Sequence, residues 1–111
     1  MIKMDETKYQ VAFELIMKAG NAKSSSLMAI DMAKVFDFEG ANKHLEEAEN
    51  EMREAHAMQI GMIQQEAQGN PVDVNIILVH AQDHMTMAVM AKDIAERFVE
   101  LYETIQELKQ K

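Results

Sequence analysis

Apolar and polar positions along this chain recur with a helical period, and no stretch alternates as a half-buried strand would. Two interruptions divide the pattern. The first is FDFEG, where Asp37 can cap a helix beginning at Phe38, although no Glu or Gln follows three residues on to complete a capping box. The second is QGNPVD. There Gly69 suits a helix C-terminus, Asn70 an N-cap, Pro71 the first helical position and Asp73 the first turn. The pattern predicts three long helices, at 7–36, 38–68 and 71–109. Each would be about 45–60 Å long at about 1.5 Å per residue. Short connections make neighbours antiparallel, so the expected architecture is an all-α, up-down-up antiparallel three-helix bundle, one domain over residues 1–111. Residues 1–5 and the last few are expected to fray.

The third helix, unrolled at about 100° per residue, has a broad apolar half. It carries Ile76, Ile77, Val79, Ala81, Met87, Met90, Ile94, Phe98 and Leu101, and the polar half carries Asp93, Glu96, Arg97, Glu100 and Glu103. His80, Asp83 and His84 fall on the apolar half, while Leu78, Met85 and Val89 cluster on the back over the same turns. Between about residues 74 and 91 the helix is therefore apolar nearly all round, and from 92 onward it reads as amphipathic. A helix in a lone bundle buries one face. The all-round segment needs a second cover, which self-association supplies.

Composition narrows the chemistry. The absence of cysteine removes disulfides, thiolate zinc sites and a thiol nucleophile. The formal charge of −8 argues against nucleic acid and against an anionic membrane surface, both of which want a basic footprint. No apolar run is long enough to span a bilayer and MIKMDETK lacks a signal-peptide core, so a cytoplasmic protein is expected. The 11 methionines read as adaptable core filling, and HLEEAENEMREA as a solvated face. His44 reads as a surface residue and His56 as one that could line the bundle; the serines at 24–26 have no assignable base.

His80, Asp83 and His84, spaced i, i+3 and i+4, share one helical face. A lone histidine on such a face is most often a satisfied core or interface residue, and three ionisable groups within five positions are harder to dismiss. One reading is a metal-binding or structural helical oligomer with His80 and His84 as ligands, Asp83 standing near the base position of H-x-x-E-H. Aspartate is a methylene too short for that base, and no third ligand can be assigned. The other reading is phosphoryl transfer through an imidazole, whose neutral ring offers a nucleophilic nitrogen near pH 7.

The wording of the sequence favours the second. VHAQDHM at 79–85, QEAQG at 65–69, AHAMQ at 55–59 and LIMKAGNAKSSSLMAIDMAK in the first helix resemble the enzyme IIA component of the lactose/cellobiose/diacetylchitobiose class of the bacterial phosphotransferase system, over about residues 9–108. The resemblance implies a homotrimer of three-helix bundles. It implies that His80 accepts a phosphoryl group from the phosphohistidine of HPr and passes it to a cysteine of the IIB component, which phosphorylates the disaccharide brought in by the IIC permease. It also implies that Asp83 meets its counterparts on the trimer axis, where a divalent cation such as Mg2+ offsets their repulsion. Gln82 and His84 are expected to support the phosphate. The chain departs from the family at D-H-M-T-M, which moves Thr86 one position earlier than the usual hydroxyl, and at Lys18, where Asn is common.

Overall fold

The computed structural model describes residues 6–111, with side chains from Tyr9 onward. The expected fraying of residues 1–5 lies outside the described residues. Within them the chain is all-helical: α1 (Glu6–Lys34), α2 (Phe38–Ala67) and α3 (Ile76–Lys109). No helix among them is long and apolar enough to cross a membrane.

Buried positions on α1 recur three and four residues apart: Ala12, Leu15, Ala19, Ala22, Ser26, Ala29 and Ala33. The buried set on α3, Ala81, Met85, Ala88, Ala95 and Val99, follows the same rhythm, and α2 adds Ala41, Ala48, Met52 and Ala55. Most of these seams are alanine, which lets helix backbones approach toward the close end of the usual 8–10 Å spacing. Ser26 fits among them because its hydroxyl donates to the Ala22 carbonyl at 2.8 Å, and among the described residues no buried side-chain nitrogen or oxygen is left unpaired.

Packing on small side chains has a consequence outside. Val11, Phe13, Met17, Leu27 and Met28 of α1 and Val79, Met87, Met90, Ile94, Phe98, Leu101 and Leu108 of α3 are all 39% or more exposed. On α3 this corrects the expected assignment of faces. Met85 belongs to the core at 3% exposure, not to the back of the helix, while Met87 and Met90 on the apolar half face outward. The outward stripe also runs past residue 92, so the C-terminal half does not reduce to one apolar face. Methionine is accordingly split between core (Met52, Met85) and surface (Met17, Met28, Met87, Met90).

The helix ends follow local chemistry. Phe36 takes a left-handed φ of 63°, and the Phe36 and Asp37 N–H groups donate back to the Ala33 and Met32 carbonyls, ending α1 at Lys34 and not at Phe36. Lys109 Nζ lies 5.0 Å from the centre of the Phe36 ring, and the Phe38 ring lies beside it. Asp37 caps α2 as expected, accepting from the Gly40 N–H at 2.9 Å. Gly69, at φ 86°, closes α2 with its own N–H on Glu66 O and the Asn70 N–H on Gln65 O.

The start of α3 is a correction. Asn70 does not cap it and Pro71 is not its first residue. The chain stays irregular to Asn75, which is extended and accepts from the Leu78 N–H at 2.9 Å. The intervening segment turns back on α2: the Val72 N–H donates to the Glu66 carboxylate and Val72 is half-buried, in a cleft it shares with Met62, Ile63 and Ala67.

The acidic run of α2 is likewise not simply a wet face. Ala48, Met52 and Ala55 point inward from it, Glu54 pairs with Lys18 of α1, and Glu49 pairs with Lys92 of α3 at 2.6 Å. Lys92 also holds Glu96 at 2.5 Å. Burial opposes the charge of Lys92, but its two carboxylate partners prevail and raise its pKa above the ordinary lysine value. The same hydrogen bond lowers the pKa of Glu49.

Candidate functional site

Asn75 sets the N-terminus of α3, and the rotation of that helix is fixed by its alanine seam. Once Ala81, Met85 and Ala88 are buried against α1 and α2, His80 and Asp83 must face away from the bundle, and both are exposed. They fall within the 4-3 spacing of the outward apolar stripe, Ile76, His80, Asp83, Met87, Met90, Ile94.

His80 and His84 lie one helical turn apart, and their rings meet edge to face with centroids 4.5 Å apart and planes at 88°. Nε2 of each faces Nε2 of the other at 3.0 Å. One nitrogen of that pair carries the proton and the other presents its lone pair. With the proton on His84, His80 holds its own proton on Nδ1 and an unprotonated Nε2.

His80 and Asp83 also share a cleft of about 330 Å3 with Phe13 and Ile16 of α1 and Ile76, Ile77 and Val79 of α3. Its walls are mostly apolar, so an anion drawn into it would depend on the few polar groups at its mouth. Phe13 and Ile16 are site residues that sequence reasoning missed. Their signal was present, since Phe13 is an apolar residue left off the alanine seam of α1.

The remaining expected residues separate. Gln82 lies two positions from His80 and so on another side of α3, where its Oε1 accepts from Gln59 Nε2 of α2 at 2.5 Å. Within one chain it therefore ties α2 to α3. Gln59 was also missed, although it lies in the AHAMQ string. The Thr86 hydroxyl donates to the Gln82 carbonyl at 3.1 Å, within its own helix. Lys18 turns to α2, where a 2.5 Å hydrogen bond to Glu54 raises its pKa. His44 is not free at the surface: its Nδ1 meets Glu47 at 3.0 Å with its side chain 20% exposed. His56 is exposed and lines the shallow cleft between α2 and α3 with Met85 and Val89.

Among the described residues, no three histidine or carboxylate side chains of one chain come together as a metal cage. Asp83 alone faces outward among the apolar positions of the stripe, so one chain offers one hard oxygen donor there.

Comparison with known proteins bears on the family and the fold. The lactose/cellobiose-specific IIA subunit family of the PTS system matches residues 10–103. The lichenan-specific phosphotransferase enzyme IIA component of Bacillus subtilis is 42% identical over 104 residues, 94% of this chain and 94% of that protein. The cellobiose-specific IIA component of Lactococcus lactis is 39% identical over 91% of this chain and 87% of its own length. Among solved structures, the cellobiose-specific enzyme IIA from Bacillus anthracis matches with a TM-score of 0.89 at 34% identity, covering 96% of this chain and 95% of that one. The IIA(chitobiose) chain solved in complex with HPr from Escherichia coli matches with a TM-score of 0.77 at 29% identity, over 89% of this chain and 96% of that one.

Proposed function

The chain belongs to the lactose/cellobiose-specific IIA subunits of the phosphotransferase system, and from that premise we propose that His80 is the residue through which it carries a phosphoryl group. The donor is the phosphohistidine of HPr, and the acceptor is a cysteine of a IIB component that phosphorylates a disaccharide brought in by a IIC permease. The observation that carries the reading is the His80–His84 pair on α3, in which His80 is exposed and lines an apolar cleft. His80 Nε2 attacks phosphorus as the donor's N–P bond breaks. His84, relieved of its bond to that lone pair, can turn its Nε2–H to a phosphoryl oxygen. The same nitrogen then yields the group to a thiolate. Such transfer depends on position and charge more than on elaborate acid–base work. Relatives named for lichenan, cellobiose and lactose support a β-glucoside or galactoside disaccharide as the cargo of the system. The HPr complex of the chitobiose relative supports HPr as donor. Work with these partners fits a cytoplasmic protein.

The working form in this reading is a homotrimer of up-down-up bundles. Lys18–Glu54 between α1 and α2, and Glu49–Lys92 and Gln59–Gln82 between α2 and α3, support the antiparallel neighbours. The outward stripe of α3, which follows 4-3 spacing with apolar residues at Ile76, Met87, Met90, Ile94, Leu101 and Leu108 and polar ones at His80, Asp83, Arg97 and Thr104, supports a coiled-coil seam between copies. Three Asp83 carboxylates would meet on its axis. A divalent cation bound there would offset their mutual repulsion, and the residues present fit a hard, water-keeping ion of that kind.

The test is incubation with phosphoenolpyruvate, enzyme I and HPr. Wild type should take up one acid-labile, alkali-stable phosphate per chain, and His80→Ala none; normal labelling of that variant would remove the assignment.

A further inference from the structure

We propose that His80 and His84 also form a bidentate site for a divalent first-row transition ion of the nickel or copper kind, and that such an ion and a phosphoryl group exclude one another. The first half stands on geometry alone; the second rests on the proposed function.

Two imidazoles one turn apart on a rigid helix are restrained in the same direction, and here both Nε2 atoms already converge at 3.0 Å. With metal–imidazole distances of about 2.0–2.1 Å, two nitrogens so spaced subtend about 90–97° at an ion between them. That is the cis angle of square-planar and octahedral centres, which nickel and copper favour. A tetrahedral zinc would need the nitrogens opened to about 3.3 Å. In one chain His80 is exposed and His84 half-buried, so an ion can reach the pair from the His80 side, the side from which HPr must also reach it. Water can fill its other positions because, among the described residues, no group of three ligands forms a cage. The Asp83 carboxylate lines the same cleft and favours a cation there. Binding moves the His84 proton from Nε2 to Nδ1, so that both Nε2 lone pairs face the ion and no net proton is lost from the neutral pair. The His80 lone pair consumed is the one that would attack phosphorus. Ion and phosphoryl group therefore compete for one nitrogen.

The experiment is calorimetric titration of the untagged, metal-free chain with Ni2+. Wild type should bind one ion per chain. His84→Ala, with its helix content checked by circular dichroism, should lose at least tenfold in affinity, while His56→Ala and His44→Ala should bind as wild type does. Absence of saturable binding, or affinity kept within twofold in His84→Ala, overturns the site. For the exclusion, Ni2+ at saturation should slow labelling from phospho-HPr at least tenfold, an effect reversed by chelator, and labelled protein should no longer titrate. Unchanged labelling rates would overturn the competition. A metal-free chain that fails to label at all would count against the phosphocarrier reading instead, and the titration would still decide the ion site.

Discussion

Met85 and Met87 stand two residues apart on α3, one 3% exposed in the alanine-lined core and the other 53% exposed on the outward stripe. The helix thus has two apolar faces, and only one is used within the chain. Fully burying a side chain of this size is worth about 1.5–3 kcal/mol, so half-exposed Met87, Met90, Ile94 and Leu101 together represent several kcal/mol awaiting a partner. Met90→Lys should place a charge from each copy in that seam. We expect a trimer for wild type by sedimentation and a monomer for the variant, with helix content kept. An unchanged trimer would show that this stripe is not the interface.

Asp83 is the stripe's one acidic position between Ile76 and Ile94. Its replacement by Leu removes like charges from the proposed axis and adds apolar area. The variant should remain a trimer, melt at a higher temperature at equal concentration, and lose any dependence of melting on Mg2+. Dissociation of Asp83→Leu to monomers would contradict the axial role.

The Lys92 cluster makes stability depend on pH at both ends. Glu49 has a lowered pKa in the folded chain, so its contribution is full above the unfolded carboxylate value of 4.5 and fades as pH falls through the lower folded value. Lys92 has a raised pKa, so its contribution is full below 10.5 and is lost as pH climbs through the folded value. Lys92→Met should cost about 1 kcal/mol near pH 7, since Glu49 and Glu96 are each about half exposed and solvent screens the pair. Urea melts at pH 3.5 and 7 should show that cost shrinking in acid. A cost that grew in acid would remove this ion pair as its source.

Two glycines of α2 separate propensity from capping. A Cβ at Gly61 would meet nothing within 4 Å, so Gly61→Ala should stabilise by about 0.5–1 kcal/mol. A Cβ at Gly40 would lie 2.5 Å from the Asp37 carboxylate. Gly40→Ala should therefore gain the same propensity and forfeit much of the cap, worth about 1 kcal/mol, for a net change near zero. Equal gains in chemical melts would mean that the Asp37 cap contributes little.

The three helices were legible because their period is long and their breaks few, and Asp37 declared its cap. The position of His80 on an outward-facing stripe was not, because both faces of α3 are apolar. Periodicity cannot say that alanines will be chosen for the inner seam and methionines left outside. Asn70-Pro71 carried a stronger local start signal than Asn75. The helix nevertheless starts after Asn75, with Val72 packed against α2, a tertiary contact that no local rule contains. The hydrogen bond of Gln82 to Gln59 was not legible either, since it joins residues of two helices that no local pattern pairs.

The central claim is that one nitrogen, Nε2 of His80, receives the phosphoryl group. The most direct measurement is to locate that group on protein labelled by phospho-HPr, using peptide fragmentation kept above acid pH and 31P–15N correlation on the intact chain. The account predicts a single phosphorus bonded to His80 Nε2, with His44, His56 and His84 unmodified. A phosphate bonded to His84, or a chain that takes none from HPr, would contradict it.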